Sequence, residues 1–136
     1  SPYPPILEMK TIDGAFEVPG KGGPIPFVPF RVGHGSIDSL GFRIGGLAYL
    51  PDVAEIYDDA WPTLDGLDIW VVDALRRTPH PTHSHLDQTL EWIERVKPRQ
   101  AVLTNMHIDL DYQTVSDETP DNIIAAYDGL TLSLPV

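Results

Sequence analysis

Metal-ligating side chains recur at one kind of place in this sequence, just beyond the end of an apolar run. His34, Asp52 and His107 each come within three residues of the end of such a run. Neutral imidazoles together with an anionic oxygen are a typical ligand set for a divalent cation. Because the 136-residue chain has no cysteine, thiolate ligands are excluded. Zinc, manganese or iron is therefore the expected ion.

Further polar residues extend this pattern. Asp73 and Asn105 also follow apolar runs, and the segment Pro79-His80-Pro81-Thr82-His83-Ser84-His85 leads into a predicted helix. All five histidines thus lie in predicted strand-end loops or at a helix start. Taken singly, such residues are usually loop, turn or cap residues. Ligands of layered α/β proteins, however, bind outside the carboxyl ends of strands, so the joint pattern indicates a site.

Short apolar runs, separated by turns and one helix, predict an α/β fold. Leu40–Ile44 and Leu47–Leu50 flank Gly45-Gly46, which is a hairpin signal. The remaining strand predictions are a strand, turn and strand over Ile6–Val18, then Phe27–Val32, Ile69–Val72, Ala101–Thr104, Ile123–Ala126 and Leu130–Leu134. The prolines of Phe27–Val32 favour an edge or irregular strand.

One segment has the apolar spacing of an amphipathic helix. Over Ser84–Val96, apolar side chains recur at intervals of four, three and three, which places them on one face. Ser84 is the predicted cap, and Pro98 ends the helix. Strands alternating with helical segments predict sheet layers covered by helices.

Charge and composition restrict the partners. Twenty acidic side chains against nine basic ones give a formal charge of -11, which repels a nucleic acid polymer. No apolar run approaches the ~20 residues of a membrane span, and no leader pattern precedes the first strand, so we expect neither a membrane segment nor a signal peptide. The expected location is the cytoplasm. No Walker phosphate loop and no G-x-S-x-G elbow competes with the metal interpretation.

The order of several short motifs resembles a known family. Gly33-His34-Gly35, followed by Leu40–Ile44 and by Leu47–Asp52, resembles the later half of the metallo-β-lactamase superfamily. Four further segments are similar to the branch of metal-dependent hydrolases that includes the cyclic phosphodiesterase of phosphonate breakdown: Val71–Arg76, His80–His83, Val102–His107 and Tyr127–Leu130.

This resemblance implies hydrolysis of a phosphodiester bond, in a cyclic phosphate or a nucleotide-like compound, by a site that holds two divalent ions, Zn or Mn. The substrate would be a small phosphorylated molecule. His34 would bind the first metal, Asp52 would bridge the two, and His107 would bind the second. His83 would be the catalytic residue that contacts phosphate or protonates the leaving oxygen. Family members often carry a histidine at the position of Asn105, so either Asn105 or His107 takes the last ligand position.

The implied fold is a layered αβ/βα sandwich, of which residues 1–136 form a single domain that corresponds to the C-terminal half. The family motif His-x-His-x-Asp-His, which carries four ligands, is absent from the chain. We therefore expect weak or partial metal binding and no useful turnover by this chain alone. The missing N-terminal half, or a second copy, would cover the apolar sheet face. Two alternatives stay open: a non-catalytic dimerising module, and a thioester or other ester hydrolase on the same scaffold.

Overall fold

A single mixed β-sheet forms the frame of the molecule. The computed structural model describes residues 2–134. The seven strands lie side by side in the order in which they occur in the sequence. They are β1 (Phe16–Val18), β2 (Ile25–His34), β3 (Ile37–Ile44), β4 (Leu47–Leu50), β5 (Ile69–Asp73), β6 (Gln100–Thr104) and β7 (Ile123–Ala125).

Helical segments connect the later strands. A 3₁₀ helix, Trp61–Leu64, lies between β4 and β5, helix α1 (Leu86–Val96) connects β5 to β6, and helix α2 (Tyr112–Glu118) connects β6 to β7. The chain leaves α1 through Lys97, which has a left-handed backbone conformation with φ 54°. Pro98 follows it and cannot continue a helix, so the predicted end of this helix is confirmed.

Strand direction changes in the middle of the sheet. The pairs from β1 to β4 are antiparallel, whereas β4 to β7 run parallel. The predicted hairpin is present, with Ile44 paired to Leu47 across a turn in which Gly45 has φ 58°. Parallel strands place their carboxyl ends at one edge of the sheet, so the loops that follow β4, β5 and β6 share that edge.

The main hydrophobic core lies on one face of this sheet. Leu50, Val72 and Leu103 are fully buried, and their strands place them in register with one another. Helix α1 contributes Leu86 and Ile93 to the same core. Alternate residues of a strand point to opposite faces, so each strand contributes every second side chain to this layer.

The opposite face of the sheet is apolar but only partly covered. The strand register places Phe27, Phe42, Tyr49 and Val71 on it, and none of these residues joins the main core cluster. Tyr49 is 44% exposed. Phe16, which pairs with Phe27, completes a cluster of three phenylalanine rings whose centroids lie 5.2–6.0 Å apart. We call the surface formed by these five residues the open face.

The two ends of the described chain depart from the prediction. The strand, turn and strand predicted over Ile6–Val18 is wrong except for β1, because residues 2–15 form neither strand nor helix. Ile6 is 95% exposed, so the apolar residues there have no neighbouring strand to pair with. The strand predicted over Leu130–Leu134 is also wrong, since the described residues there form no strand. An apolar run forms a strand only when a partner supplies hydrogen bonds.

Other boundaries were shifted by tertiary contacts. The predicted cap Ser84 is wrong: His85 occupies the cap position of α1, and the Ser84 hydroxyl donates instead to the Asp73 carbonyl at 2.6 Å. Helix α2 was not predicted, because its two turns have little apolar periodicity. Its signal was the cap Asp111, whose carboxylate accepts from the Thr114 N–H.

The described helices are all too short or too polar to cross a membrane.

The division between the two faces predicts different costs for two neighbouring substitutions. Leu50→Ala should lower the free energy of unfolding by about 2–5 kcal/mol, because it opens a cavity in the closed core. Tyr49→Ala, on the open face, should lower it by about 1 kcal/mol or less. Urea unfolding followed by circular dichroism measures both values. Equal costs for the two variants would contradict the assignment of the faces.

Candidate metal centre

Three of the four site residues named from the sequence converge at one point. His34, Asp52 and His83 each offer a ligand atom, and these atoms all lie within 4.8 Å of one another. All three side chains are partly buried. The donor set is two imidazoles and one carboxylate, which is the chemistry that zinc and manganese accept. The residues present therefore fit a divalent ion. The described part of this chain supplies only part of the ligand shell that two such ions would need.

Different elements bring the three residues together. His34 ends β2, Asp52 follows β4, and His83 lies in the loop between β5 and α1. The turn after His34 depends on Gly35, which has φ 71° and lies against the 80–84 loop. A Cβ at this glycine would come within 2.6 Å of the Thr82 Cγ2 atom, so only glycine permits this approach.

Both histidines of the cluster are oriented through their Nδ1 atoms. His34 Nδ1 hydrogen-bonds to the Thr82 carbonyl oxygen, and this oxygen can only accept, so Nδ1 donates. His83 Nδ1 lies 2.8 Å from the Asp73 Oδ2 atom. When Nδ1 carries the proton, a neutral imidazole has its lone pair on Nε2. Each ring is thus held in the tautomer that leaves Nε2 available to an ion or a proton.

Asp73 is the buried anchor of this arrangement. Its side chain is fully inaccessible, and Oδ2 accepts from both His83 Nδ1 and the Val53 N–H. Oδ1 is buried with no hydrogen-bond partner among the described residues. The backbone oxygen of Asp73 accepts from the hydroxyls of Ser84 and Thr89, both at 2.6 Å. The last residue of β5 therefore connects the loop after β4 to the loop between β5 and α1, which contains His83.

Burial determines the charge state of this carboxyl group. Desolvation raises the pKa of Asp73 to about 6, although hydrogen bonds from the Val53 N–H and His83 act in the opposite direction. Above this pH Asp73 is an anion that accepts a hydrogen bond from the Nδ1–H of His83. The Asp73–His83 pair can then stabilise positive charge on the imidazole.

The fourth predicted site residue, His107, lies outside the cluster. The His107 side chain is exposed, and its Nδ1 atom lies 3.2 Å from Asp109. Asn105 lies closer to Asp52: its Nδ2 donates to the Pro51 carbonyl at 3.1 Å and approaches Asp52 Oδ1 at 3.4 Å. Its backbone adopts φ 63°, a conformation that asparagine tolerates better than most residues. The role of His107 as a metal ligand stays a prediction.

His80 adds a third imidazole beside the cluster. Its ring centroid lies 5.3 Å from that of His83, which in turn lies 4.9 Å from that of His34. Burial and, secondarily, the charge of Arg76 lower the pKa of His80, which favours its neutral form. Nδ1 of His80 accepts from the Thr82 N–H at 3.1 Å, so the neutral ring carries its proton on Nε2.

The sequence alone identifies Asp73 only as a polar residue at a strand end. Its hydrogen bond to His83 joins residues ten apart, and its hydrogen bond to Val53 joins the end of β5 to the segment after the neighbouring strand β4. A carboxylate directly after a fully apolar run was the available signal. The role of the Thr82 carbonyl had no sequence signal, because any residue carries that oxygen.

Comparison with known proteins places this arrangement in a family. The family model described as the β-lactamase superfamily domain matches residues 3–108. The chain belongs to the β-lactamase superfamily. A solved structure described as a new diphosphatase from the PhnP family superposes with a TM-score of 0.87 at 37% identity, over 95% of this chain and 50% of that one. The resemblance drawn from the motifs, and the predicted fold class, are thereby confirmed.

Two solved structures of lower sequence identity show the same fold. Zn²⁺-bound PqqB from Methylobacterium extorquens matches with a TM-score of 0.66 at 18% identity, over 92% of this chain and 55% of that one. Human tRNase Z, short form, matches with a TM-score of 0.63 at 18% identity, over 82% of this chain and 44% of that one.

A protein named octanoyltransferase, from Porphyromonas gingivalis (strain ATCC BAA-308 / W83), is 28% identical over 133 residues, which are 96% of this chain and 27% of that protein. The chain thus spans about half of the diphosphatase and about a quarter of the octanoyltransferase.

The raised pKa of Asp73 predicts a pH-dependent contribution to stability. The folded state holds a proton on this carboxyl up to about pH 6, whereas an unfolded aspartate releases it near 3.8. Stability should therefore fall as pH rises from about 4 to about 6, by about 2–3 kcal/mol at 1.36 kcal/mol per pKa unit. Asp73→Asn should lack this decrease.

Thermal unfolding of both proteins, with a chelator present, measures the difference at each pH. Asp121→Asn, which removes an exposed carboxylate, is the control for the change in net charge. A constant difference between wild type and Asp73→Asn across this range would contradict the prediction.

Proposed function

We propose that this chain carries part of the active site of a metal-dependent hydrolase that cleaves phosphodiesters in small substrates. The observation that supports the proposal best is the convergence of His34, Asp52 and His83. The hydrolysis of phosphate bonds is favoured over other chemistries because the similar solved structure is described as a diphosphatase.

His34 and Asp52 would hold the metal ions, with His107 as the further ligand of the second ion. Two divalent ions in such a site generate a nucleophile from water and neutralise charge on phosphoryl oxygens. The chain contributes the orientation of its ligands. The Thr82 carbonyl directs His34, and the Asn105 amide restrains the loop that carries Asp52.

His83 would act as the general acid that donates a proton to the leaving group. A proton on Nε2 can be donated to the leaving oxygen, and Asp73 at Nδ1 stabilises the charged imidazole before that transfer. Because the Asp73 carboxylate is buried and held by the Val53 N–H, the ring has one favoured orientation. His83 is therefore the catalytic residue of the proposal, and Asp73 is a positioning residue.

Metal binding by the chain tests the ligand assignment. His34→Ala and Asp52→Ala should each weaken Co²⁺ binding at least about tenfold, because each removes a direct ligand. His83→Gln should leave binding within about threefold, because the proposal assigns this residue to proton transfer. A loss of tenfold or more in this variant would instead make His83 a metal ligand. Titration followed by the visible absorbance of Co²⁺ gives the affinity and the number of sites.

The matched control is His85→Ala, since His85 lies at the start of α1 and outside the ligand cluster. His107→Ala should reduce the number of ions bound without weakening the first. Unchanged affinity in both His34→Ala and Asp52→Ala would remove the metal assignment.

The open face supports a further part of the proposal, a second sheet packed against this one. Phe16, Phe27 and Phe42 form a partly exposed apolar cluster, which soluble proteins seldom leave uncovered. The similar diphosphatase is about twice as long as this chain. We propose that an N-terminal half covers the open face and supplies the remaining ligands. A second copy of the chain is the alternative occupant.

Hydrolysis of bis(p-nitrophenyl) phosphate with Mn²⁺ or Zn²⁺ tests this assembly. The chain alone should show little turnover. The chain joined to, or mixed with, an N-terminal half should hydrolyse the substrate. His34→Ala or Asp52→Ala should reduce the rate at least about a hundredfold, because loss of a ligand disrupts the site of the two metal ions. Unchanged activity in these variants would exclude the proposed site.

Two alternatives have distinct outcomes in the same experiments. A tight, metal-independent dimer detected by light scattering, with no activity that depends on His34 or Asp52, would favour a non-catalytic dimerising module. The similarity to a protein named octanoyltransferase favours including p-nitrophenyl octanoate as a second substrate. Its hydrolysis in preference to the phosphodiester would favour an ester or thioester hydrolase.

A further inference from the structure

A cavity of about 340 Å³ opens at the carboxyl ends of β6 and β7. It is lined by residues that follow these strands, among them Thr104, Asn105, Met106, Tyr127 and Asp128. Its volume is at the lower end of the range for small-molecule sites, so it fits one ring system. The proposed hydrolysis does not account for this cavity.

Asn105 connects the cavity to the candidate metal centre. It lines the cavity, and its Nδ2 atom lies 3.4 Å from Asp52 Oδ1. A group attached to a phosphate bound beside Asp52 would therefore lie next to this cavity. The cavity is an extension of the same site, and not a separate surface feature.

Tyr127 provides an aromatic surface at this cavity. Its side chain is 54% exposed, and its ring contacts that of Tyr112 at 6.0 Å with the planes nearly perpendicular. A tight turn presents the residue: the Leu130 N–H donates to the Tyr127 carbonyl at 3.0 Å, and Gly129 has φ 90°. Tyr127 is thus held by a neighbouring ring and a turn, yet it keeps free aromatic area.

The polar residues that line the cavity indicate which hydrogen-bonding groups a ligand would carry at its edge. Asp128 offers a carboxylate that accepts hydrogen bonds, and Asn105 offers an amide that both donates and accepts. Aromatic side chains stack on planar rings, and carboxylates bind ring amino groups or sugar hydroxyls. A net charge of -11 makes an extended polyanion unfavourable, so the ring belongs to a small molecule.

We propose that this cavity binds a planar ring with hydrogen-bond donors, of the nucleobase or aryl class, that is attached to the substrate phosphate. Tyr127 stacks on the ring, and Asp128 and Asn105 bind its polar edge. The inference deepens the proposed function and rests on it for the position of the phosphate. Recognition of the ring itself depends on Tyr127 and Asp128, and is independent of the metal.

Two diesters that differ only in the ring test the proposal. Methyl phenyl phosphate should bind the Zn²⁺-loaded chain about tenfold more tightly than dimethyl phosphate, a difference of about 1.4 kcal/mol. Tyr127→Ala should abolish this preference, and Tyr49→Ala, which removes an exposed tyrosine outside the cavity, should retain it. Isothermal titration calorimetry gives the affinities.

Adenosine, which has no phosphate, tests the ring site without the metal centre. In the presence of a chelator, its saturation-transfer NMR signal should be lost in Tyr127→Ala and reduced in Asp128→Asn. Asp128→Asn should leave the preference for methyl phenyl phosphate unchanged, because a phenyl ring has no donor. Circular dichroism of Tyr127→Ala and Tyr127→Leu confirms that a loss does not reflect unfolding.

The two arms separate this inference from the proposed function. If neither diester binds but adenosine binds through Tyr127, the phosphate site fails and the ring site stands. A ring preference that depends on Tyr127 in either arm supports the inference. Equal binding of the two diesters together with no adenosine signal, or a preference that survives Tyr127→Ala, overturns it.

Discussion

The buried carboxylate of Asp73 is the interaction on which the rest of the site depends. It lies at the end of a central strand, accepts the Val53 N–H from the loop after β4, and holds His83 from the loop before α1. Its backbone oxygen accepts hydrogen bonds from two hydroxyl groups of the same helix-entry region. Removing a charge from water is costly, and hydrogen bonds that converge on it offset only part of this cost. One strand end therefore constrains two loops that contain candidate active-site residues.

The histidine rings contact one another, and backbone and buried groups outside the cluster orient each of them. Thr82 supplies a carbonyl to His34 and an N–H to His80, while Asp73 supplies a carboxylate to His83. In each ring these partners contact Nδ1, and they leave Nε2 free of that contact. Such outer partners determine tautomer and orientation before any ion binds.

The sheet has two chemically different faces, and this asymmetry connects stability to function. One face is closed by α1, α2 and the 3₁₀ helix, and it holds the core. The other carries aromatic rings that contact one another and are only partly covered by the described residues. The candidate site lies at the sheet edge where β2, β4 and β5 end, and in our proposal the layer that covers the open face also supplies the remaining ligands. In this proposal, the same added layer completes both the fold and the ligand set of the site.

Local sequence determined the elements whose signals are short-range: the Gly45-Gly46 hairpin, the buried strands β5 and β6, and the apolar face of α1. It also placed His34, Asp52 and His83 at strand ends or in a helix-entry loop, which is where the structure has them. Tertiary structure alone decided the rest. The residues 6–15 and 130–134 have strand-like composition but no partner strand, so they form no strand. The pairing of Asp73 with His83, and the position of His107 beside Asp109 and outside the cluster, depend on how loops from separate strands meet, and no local pattern encodes a distance between residues that only folding brings together.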